Sequence, residues 1–118
     1  MKIAAVAAGQ KYRLVADMTP TARDIEAARL SQHARDVAHV RRIQREVAEA
    51  YGVPRDDILS ERRQKRVAEA RQYAMWRARY ETHLSLPQIG RLFLRDHTTV
   101  IHAVQRVDAQ QGREAPRE

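Results

Sequence analysis

The chemistry most readily written for this sequence lies in Asp96-His97-Thr98-Thr99, which stands directly before the apolar series Val100, Val104 and Val107 with Ala103 close by. An aspartate so placed caps a helix by accepting N–H groups of its first turn. A helix starting this way carries threonines at its tip. A threonine methyl packs on the thymine methyl, and its hydroxyl hydrogen-bonds a base or a phosphate. Free N–H groups at a helix start also suit phosphate. The second candidate group is the basic run Arg62-Arg63-Gln64-Lys65-Arg66. Residues 60–80 hold seven basic and two acidic side chains, so +5 of the net +7 lies in that stretch. A concentrated basic patch suggests a polyanion partner, usually nucleic acid; a solvated helix face is the other reading of the same charge.

Other chemistries find little support. There is no cysteine, which excludes disulfides, thiolate metal sites and cysteine nucleophiles. His33 and His39 are six residues apart and His97 and His102 five, so neither pair shares a helix face and no metal site is expected. His97 has neither a nucleophile nor a paired carboxylate for acid–base work, so no catalytic residues, no cofactor and no enzyme are expected.

The elements that must position these groups follow from composition and spacing. The chain has 118 residues, enough for one compact domain plus an arm or tail. Hydrophobic residues make up 43%, many of them alanine, aromatics 5%, and glycine and proline number four each. That mixture favours an all-α fold. No apolar run approaches the roughly 18 residues needed to span a bilayer. The stretch Ile3-Ala4-Ala5-Val6-Ala7-Ala8 is too short for a signal peptide and runs into Lys11 and Arg13. A cytoplasmic, nucleoid-associated protein without membrane contact is expected.

Residues 1–20 lack helical periodicity, and Lys11-Tyr12-Arg13-Leu14-Val15 suits a short strand or an extended arm. Thr19 or Thr21 caps a helix running to Tyr51, in one or two pieces, with Val37, Val40, Ile43 (or Gln44), Val47 and Tyr51 on one face. Gly52 ends it and Pro54 prevents its restart. One helical turn is expected at 55–60, then the basic loop at 61–66. A long helix follows from about Gln64 to Glu81, with Val67, Ala70, Ala74 and Ala78 on one face. Tyr73, Met75, Trp76 and Tyr80 read as core or core edge rather than as a base-stacking platform. Ser85-Leu86-Pro87-Gln88 is a capping box with proline in the first turn. Its helix carries Ile89, Leu92 and Phe93, Leu94-Arg95 turn the chain, and a last helix runs from His97 to about Gln110. The remaining tail is expected to fray. Two helices across a tight turn, the second with small polar residues at its start, describe a helix-turn-helix over roughly residues 85–108. A plain helical hairpin has the same spacing.

Residues 36–110 resemble the C-terminal DNA-binding domain, domain IV, of the bacterial replication initiator DnaA. The resemblance is carried by Arg95-Asp96-His97-Thr98-Thr99-Val100-Ile101-His102-Ala103 and Ser85-Leu86-Pro87-Gln88-Ile89-Gly90. Ile58-Leu59-Ser60-Glu61-Arg62-Arg63 and Ala70-Arg71-Gln72-Tyr73-Ala74-Met75 add to it further upstream. It implies a helix-turn-helix bundle of the DnaA domain IV and Trp-repressor-like type, binding double-stranded DNA. It also implies that Arg63 reads the minor groove, that Arg71, Gln72, Leu86 and Pro87 contact the backbone, and that Asp96, His97, Thr98 and Thr99 read the major groove. Arg62, Lys65 and Arg66 are phosphate candidates without a residue-level match.

The chain departs from the family pattern in two ways. The family carries a glycine-containing turn before Asp-His, whereas Phe93-Leu94-Arg95 is one residue shorter and has no glycine. A tighter turn bears on the orientation of the recognition helix, so the family's site preference does not follow from the fold. No Gly-x-x-x-x-Gly-Lys-[Ser/Thr] occurs in these residues. They are not expected to load a helicase or open an origin by ATP-driven assembly. The domains expected are an N-terminal arm and helix at 1–35 as a partner surface, the DNA-binding domain at 36–112, and a tail at 113–118.

The function expected is a transcription regulator, an activator of phage or gene-transfer-agent genes among the options. Its protein partner would be RNA polymerase or a second regulatory protein. A replication accessory on initiator boxes, and an adaptor working through residues 1–35, are the alternatives. One reading head covers a short site, which favours a dimer or hetero-complex.

Overall fold

The structure, a computed structural model, describes residues 19–114. The strand or arm expected at Lys11–Val15 lies outside the described residues, as do residues 115–118 of the tail. The chain divides into two units, Met1–Gln32 and His33–Glu118. Among the described residues there are five helices and no strand: α1 Ala22–Tyr51, α2 Arg55–Ile58, α3 Lys65–Glu81, α4 Leu86–Leu92 and α5 His97–Glu114. None is long and apolar enough to cross a membrane.

In the first unit, Thr21 rather than Thr19 caps α1. Its hydroxyl accepts the Asp24 N–H at 3.1 Å, and the Asp24 carboxylate accepts the Thr21 N–H at 3.1 Å. The helix runs for 30 residues in one piece, without a glycine or proline to interrupt it.

The second unit holds the core. Along α1, Val40, Ile43, Val47 and Ala48 recur at three- and four-residue steps and are buried. The same core holds Ala70, Ala74, Met75 and Ala78 of α3, all fully buried. Alanine at these positions lets a neighbouring helix approach closely. Ile89 and Phe93 come from α4 and the residue after it, and Val100 and Ala103 from α5. Each large apolar side chain buried this way stabilises the fold by about 1.5–3 kcal/mol. Val107 is also buried, whereas Val104 is only half-buried. The last helix extends to Glu114, passing through Gly112 rather than fraying after Gln110.

Two polar features tie the helices together. Asp108 on α5 accepts the Trp76 indole N–H at 2.8 Å and the Tyr80 hydroxyl at 3.0 Å. Tyr73 stacks on Trp76 with 5.6 Å between ring centroids. The aromatic residues of α3 therefore edge the core and clasp α5. Gln44, 1% exposed, donates to the Leu92 carbonyl at 3.0 Å and accepts from Arg55 at 2.9 Å. It fixes the C-terminal end of α4 against α1 and the start of α2.

Candidate nucleic-acid interface

Helix α4 begins with the expected capping box. Ser85 Oγ accepts the Gln88 N–H at 3.3 Å, and Gln88 Oε1 accepts the Ser85 N–H at 2.8 Å. Pro87 has no N–H, so the Leu86 amide is the unspent donor of this turn among the described residues. Pro87 is exposed, and the Leu86 side chain packs on the core. Leu86 can therefore meet a phosphate through its backbone only.

The end of α4 shapes the turn. Arg95 N–H reaches the Gly90 carbonyl at 2.8 Å, and Leu94 N–H the Arg91 carbonyl at 3.2 Å. This pair of bonds is the Schellman ending, which requires a left-handed residue between them. Helix α1 ends the same way, with Val53 N–H on Ala48 and Gly52 N–H on Glu49, and there Gly52 takes a φ of +68°. In the turn before α5 a leucine occupies the equivalent place, with a φ of 58°. An L-residue in that region costs about 1–2 kcal/mol. The shorter, glycine-free turn is thus closed by a residue in a conformation that glycine would adopt freely. Gly90 is needed for another reason. A Cβ on it would stand 2.6 Å from the Arg95 carbonyl oxygen.

Asp96 caps α5. Its carboxylate accepts the Thr98 N–H at 3.0 Å and also the Thr98 hydroxyl. His97 Nδ1 stands 3.7 Å from the same carboxylate. Asp96, His97, Thr98 and Thr99 are all exposed. Because the Thr98 hydroxyl gives its proton to Asp96, it keeps only lone pairs for DNA, alongside its methyl. That suits a base amino group or a thymine methyl, and not donation to a phosphate. The bonds from the Thr98 hydroxyl, then from the Thr98 N–H, hold the Asp96 carboxyl below its ordinary pKa. A lowered folded value means the cap is complete above the unfolded pKa and is lost as pH falls through the lowered one. An NMR titration of the Asp96 carboxyl should give a midpoint below that of free aspartate, and Thr98→Val should raise it. An unshifted midpoint in the parent chain would contradict the capping geometry.

The basic run is shorter as a loop than expected: Arg62 and Arg63 lie between α2 and α3, and Lys65 and Arg66 stand in the first turn of α3. Its cations are exposed but not equivalent. Arg62 pairs with Asp57 at 3.5 Å, and Arg66 Nε donates to the Tyr51 carbonyl. Arg63 and Lys65 have no hydrogen-bond or ion-pair partner among the described residues. Arg71 is put to a different use from its neighbours. It is 7% exposed, and its guanidinium donates to the carbonyls of Ile58 at 2.7 Å, Asp57 at 2.9 Å, Ser60 at 2.9 Å and Arg62 at 3.2 Å. Burial pushes its pKa down, the Arg95 charge adds to this, and Asp57 opposes it. Arg95 donates to the same Ser60 carbonyl from the turn before α5. Two arginines thus hold the segment leading to Arg63 in one frame with the recognition helix. Arg63 and Asp96 line a common cleft.

The fold places three further residues beside the predicted set. Arg95, a turn residue by sequence, joins the turn to the loop through the Ser60 carbonyl. His102 and Arg106 lie one and two turns beyond Thr99 on the exposed side of α5, in a cleft that Gln72 and Thr99 also line. The steps of three from Thr99 to His102 and four from His102 to Arg106 are the available signal.

A supporting helix, a tight turn and an exposed polar helix tip beside an ordered basic loop define a DNA-binding helix-turn-helix domain. A model of the family described as bacterial dnaA protein helix-turn-helix matches residues 40–107. Chromosomal replication initiator protein DnaA of Caulobacter vibrioides is 57% identical over 68 residues, 57% of this chain and 14% of that protein. The protein of the same name from a Bradyrhizobium species is 52% identical over 73 residues, 61% of this chain and 15% of that protein. That of Caldanaerobacter subterraneus is 41% identical over 107 residues, 84% of this chain and 24% of that protein. The chain belongs to the bacterial dnaA protein helix-turn-helix family, and it spans a quarter or less of the length of these relatives.

Proposed function

We propose that this chain is a sequence-specific double-stranded DNA-binding protein acting as a transcription regulator and not as an enzyme. The tip of α5 enters the major groove, and Arg63 enters the adjacent minor groove. The observation that carries the DNA-binding part of this reading is an exposed Arg63, unpaired among the described residues, that shares a cleft with the cap of α5, with Arg71 and Arg95 holding the frame. Lys65 and Arg62 add phosphate contacts, and the Leu86 amide positions α4 on the backbone.

Arg63→Ala and Thr98→Ala should each weaken binding to the selected site by about 1–3 kcal/mol, measured at matched salt. Lys65→Ala should weaken all sequences alike and lower the salt slope by about one. Undiminished binding in both of the first two variants would overturn the assigned roles.

Regulation is separable from a second reading, occupation of initiator boxes as a replication accessory, which draws on the names of the relatives. Genome-wide mapping of bound sites decides between them. Peaks at promoters of one gene cluster support regulation, whereas peaks at the origin and initiator boxes would replace it with the second reading. RNA polymerase, or a second regulatory protein, is the partner an activator requires. Deleting residues 1–35 should abolish its recovery in a pull-down while DNA binding persists.

A further inference from the structure

We infer that Leu94 is a DNA-contacting residue that sets part of the site preference, its side chain packing on apolar groups of the duplex between the two grooves. The inference rests on the DNA-binding reading above and adds a residue to it.

Leu94 is unusual in two respects at once. It is the one non-glycine residue at positive φ among the described residues. It is also 68% exposed, more than Leu30, Tyr80 or Ile25, the other exposed large apolar residues described. Strain at a single residue is ordinarily maintained by packing or by function. Packing does not account for it here. In a Schellman ending the accompanying apolar contact onto the helix comes from the residue after the left-handed one, here Arg95, so it makes no use of the Leu94 side chain. The leucine therefore gains nothing from the fold that glycine would not supply at lower strain.

Its surroundings point to a ligand. Leu94 lies on the same cleft as Arg62, Arg63, Arg95 and Asp96. The same cleft holds the arginine assigned to the minor groove and the cap of the helix tip assigned to the major groove. What a duplex presents between those grooves is the sugar–phosphate strip and the edge of the adjoining bases. The phosphates go to the cations. The apolar groups left for a leucine are the deoxyribose C–H face and the thymine C5-methyl. Both are the same contact chemically and differ in sequence dependence.

The test uses the full chain with Leu94→Gly, which removes the side chain and the strain together. Leu94→Met serves as the conservative rescue and Arg63→Ala as the control. Each is put through selection from a random duplex library and titration on the selected site, with a melting curve alongside. Leu94→Gly should melt no lower than the parent, bind the parental site about tenfold more weakly, and be rescued by methionine. A loss confined to sites with thymine at one position identifies the methyl; a uniform loss identifies the sugar and overturns the assigned share in site preference. Parental affinity and motif in Leu94→Gly, with Arg63→Ala still impaired, would overturn this inference alone. Failure of the parent chain to select any duplex would overturn the DNA-binding reading and this inference with it.

Discussion

Gly90→Ala lowers the stability of the domain by about 3 kcal/mol, an overpacking cost, and removes site-specific DNA binding. Helix propensity alone argues the opposite, because alanine is favoured over glycine inside a helix by about 1 kcal/mol. Contact geometry decides the sign. An added Cβ would lie 2.6 Å from the Arg95 carbonyl oxygen, 3.4 Å from Asp96 C and 3.5 Å from His97 N. All three are backbone atoms, so no side chain can rotate away. Relief requires the turn and the start of α5 to move off α4. That movement breaks the 2.8 Å bond from Arg95 to the Gly90 carbonyl and shifts the reading tip. For a domain of this size the melting temperature should fall on the order of 15 °C. Gly52→Ala is the comparison. Its Cβ meets only Arg66 Nη2 at 3.9 Å, so its cost is that of the positive φ, about 1–2 kcal/mol. An equal or smaller loss for Gly90→Ala would show that the turn does not press on α4.

The contrast between these two glycines bears on what the residues disclose before the fold is known. Gly52, followed by Pro54 after a periodic apolar face, announces a helix end through local chemistry. Ser85 with Gln88, and Asp96 before a valine stripe, do the same for helix starts. Each works through bonds spanning three or four residues, and the structure repeats them. The role of Gly90 depends on a backbone that passes over it only after the turn has closed. Leu94 fails the local rule altogether, since nothing in its identity favours a left-handed conformation. The arginines were the least legible. Arg62, Arg63, Arg66 and Arg71 look alike in sequence, and a guanidinium serves equally well against phosphates or carbonyls. Only the folded arrangement shows that Arg71 is turned inward, Arg62 is paired with Asp57, and Arg63 has no side-chain partner among the described residues. Charge density marked the region without saying which charge faces the partner.

That distinction is testable at Arg71. Family resemblance makes it a backbone contact; the structure spends it on four carbonyls between Asp57 and Arg62. Arg71→Met keeps the apolar stem and removes every one of those donors. With hydrogen bonds to a charged group contributing about 1.5–3 kcal/mol and such contributions not adding in full, the expected loss is about 3 kcal/mol. Arg71→Lys should recover little of it, because one ammonium cannot replace a planar fork spread over several acceptors. Binding then separates the two roles. If Arg71 positions the loop, freeing residues 57–62 disorders Arg63, and Arg63→Ala costs far less in the Arg71→Met background than in the parent chain. If Arg71 instead grips a phosphate on its own, the two losses add and Arg71→Met alone lowers the salt slope by about one. Measured well below the melting transition of the variant, strong coupling with an unchanged salt slope is the expected result. Additive losses with a reduced slope would assign Arg71 to the DNA backbone and leave the order of the loop to Arg95 and Ser60.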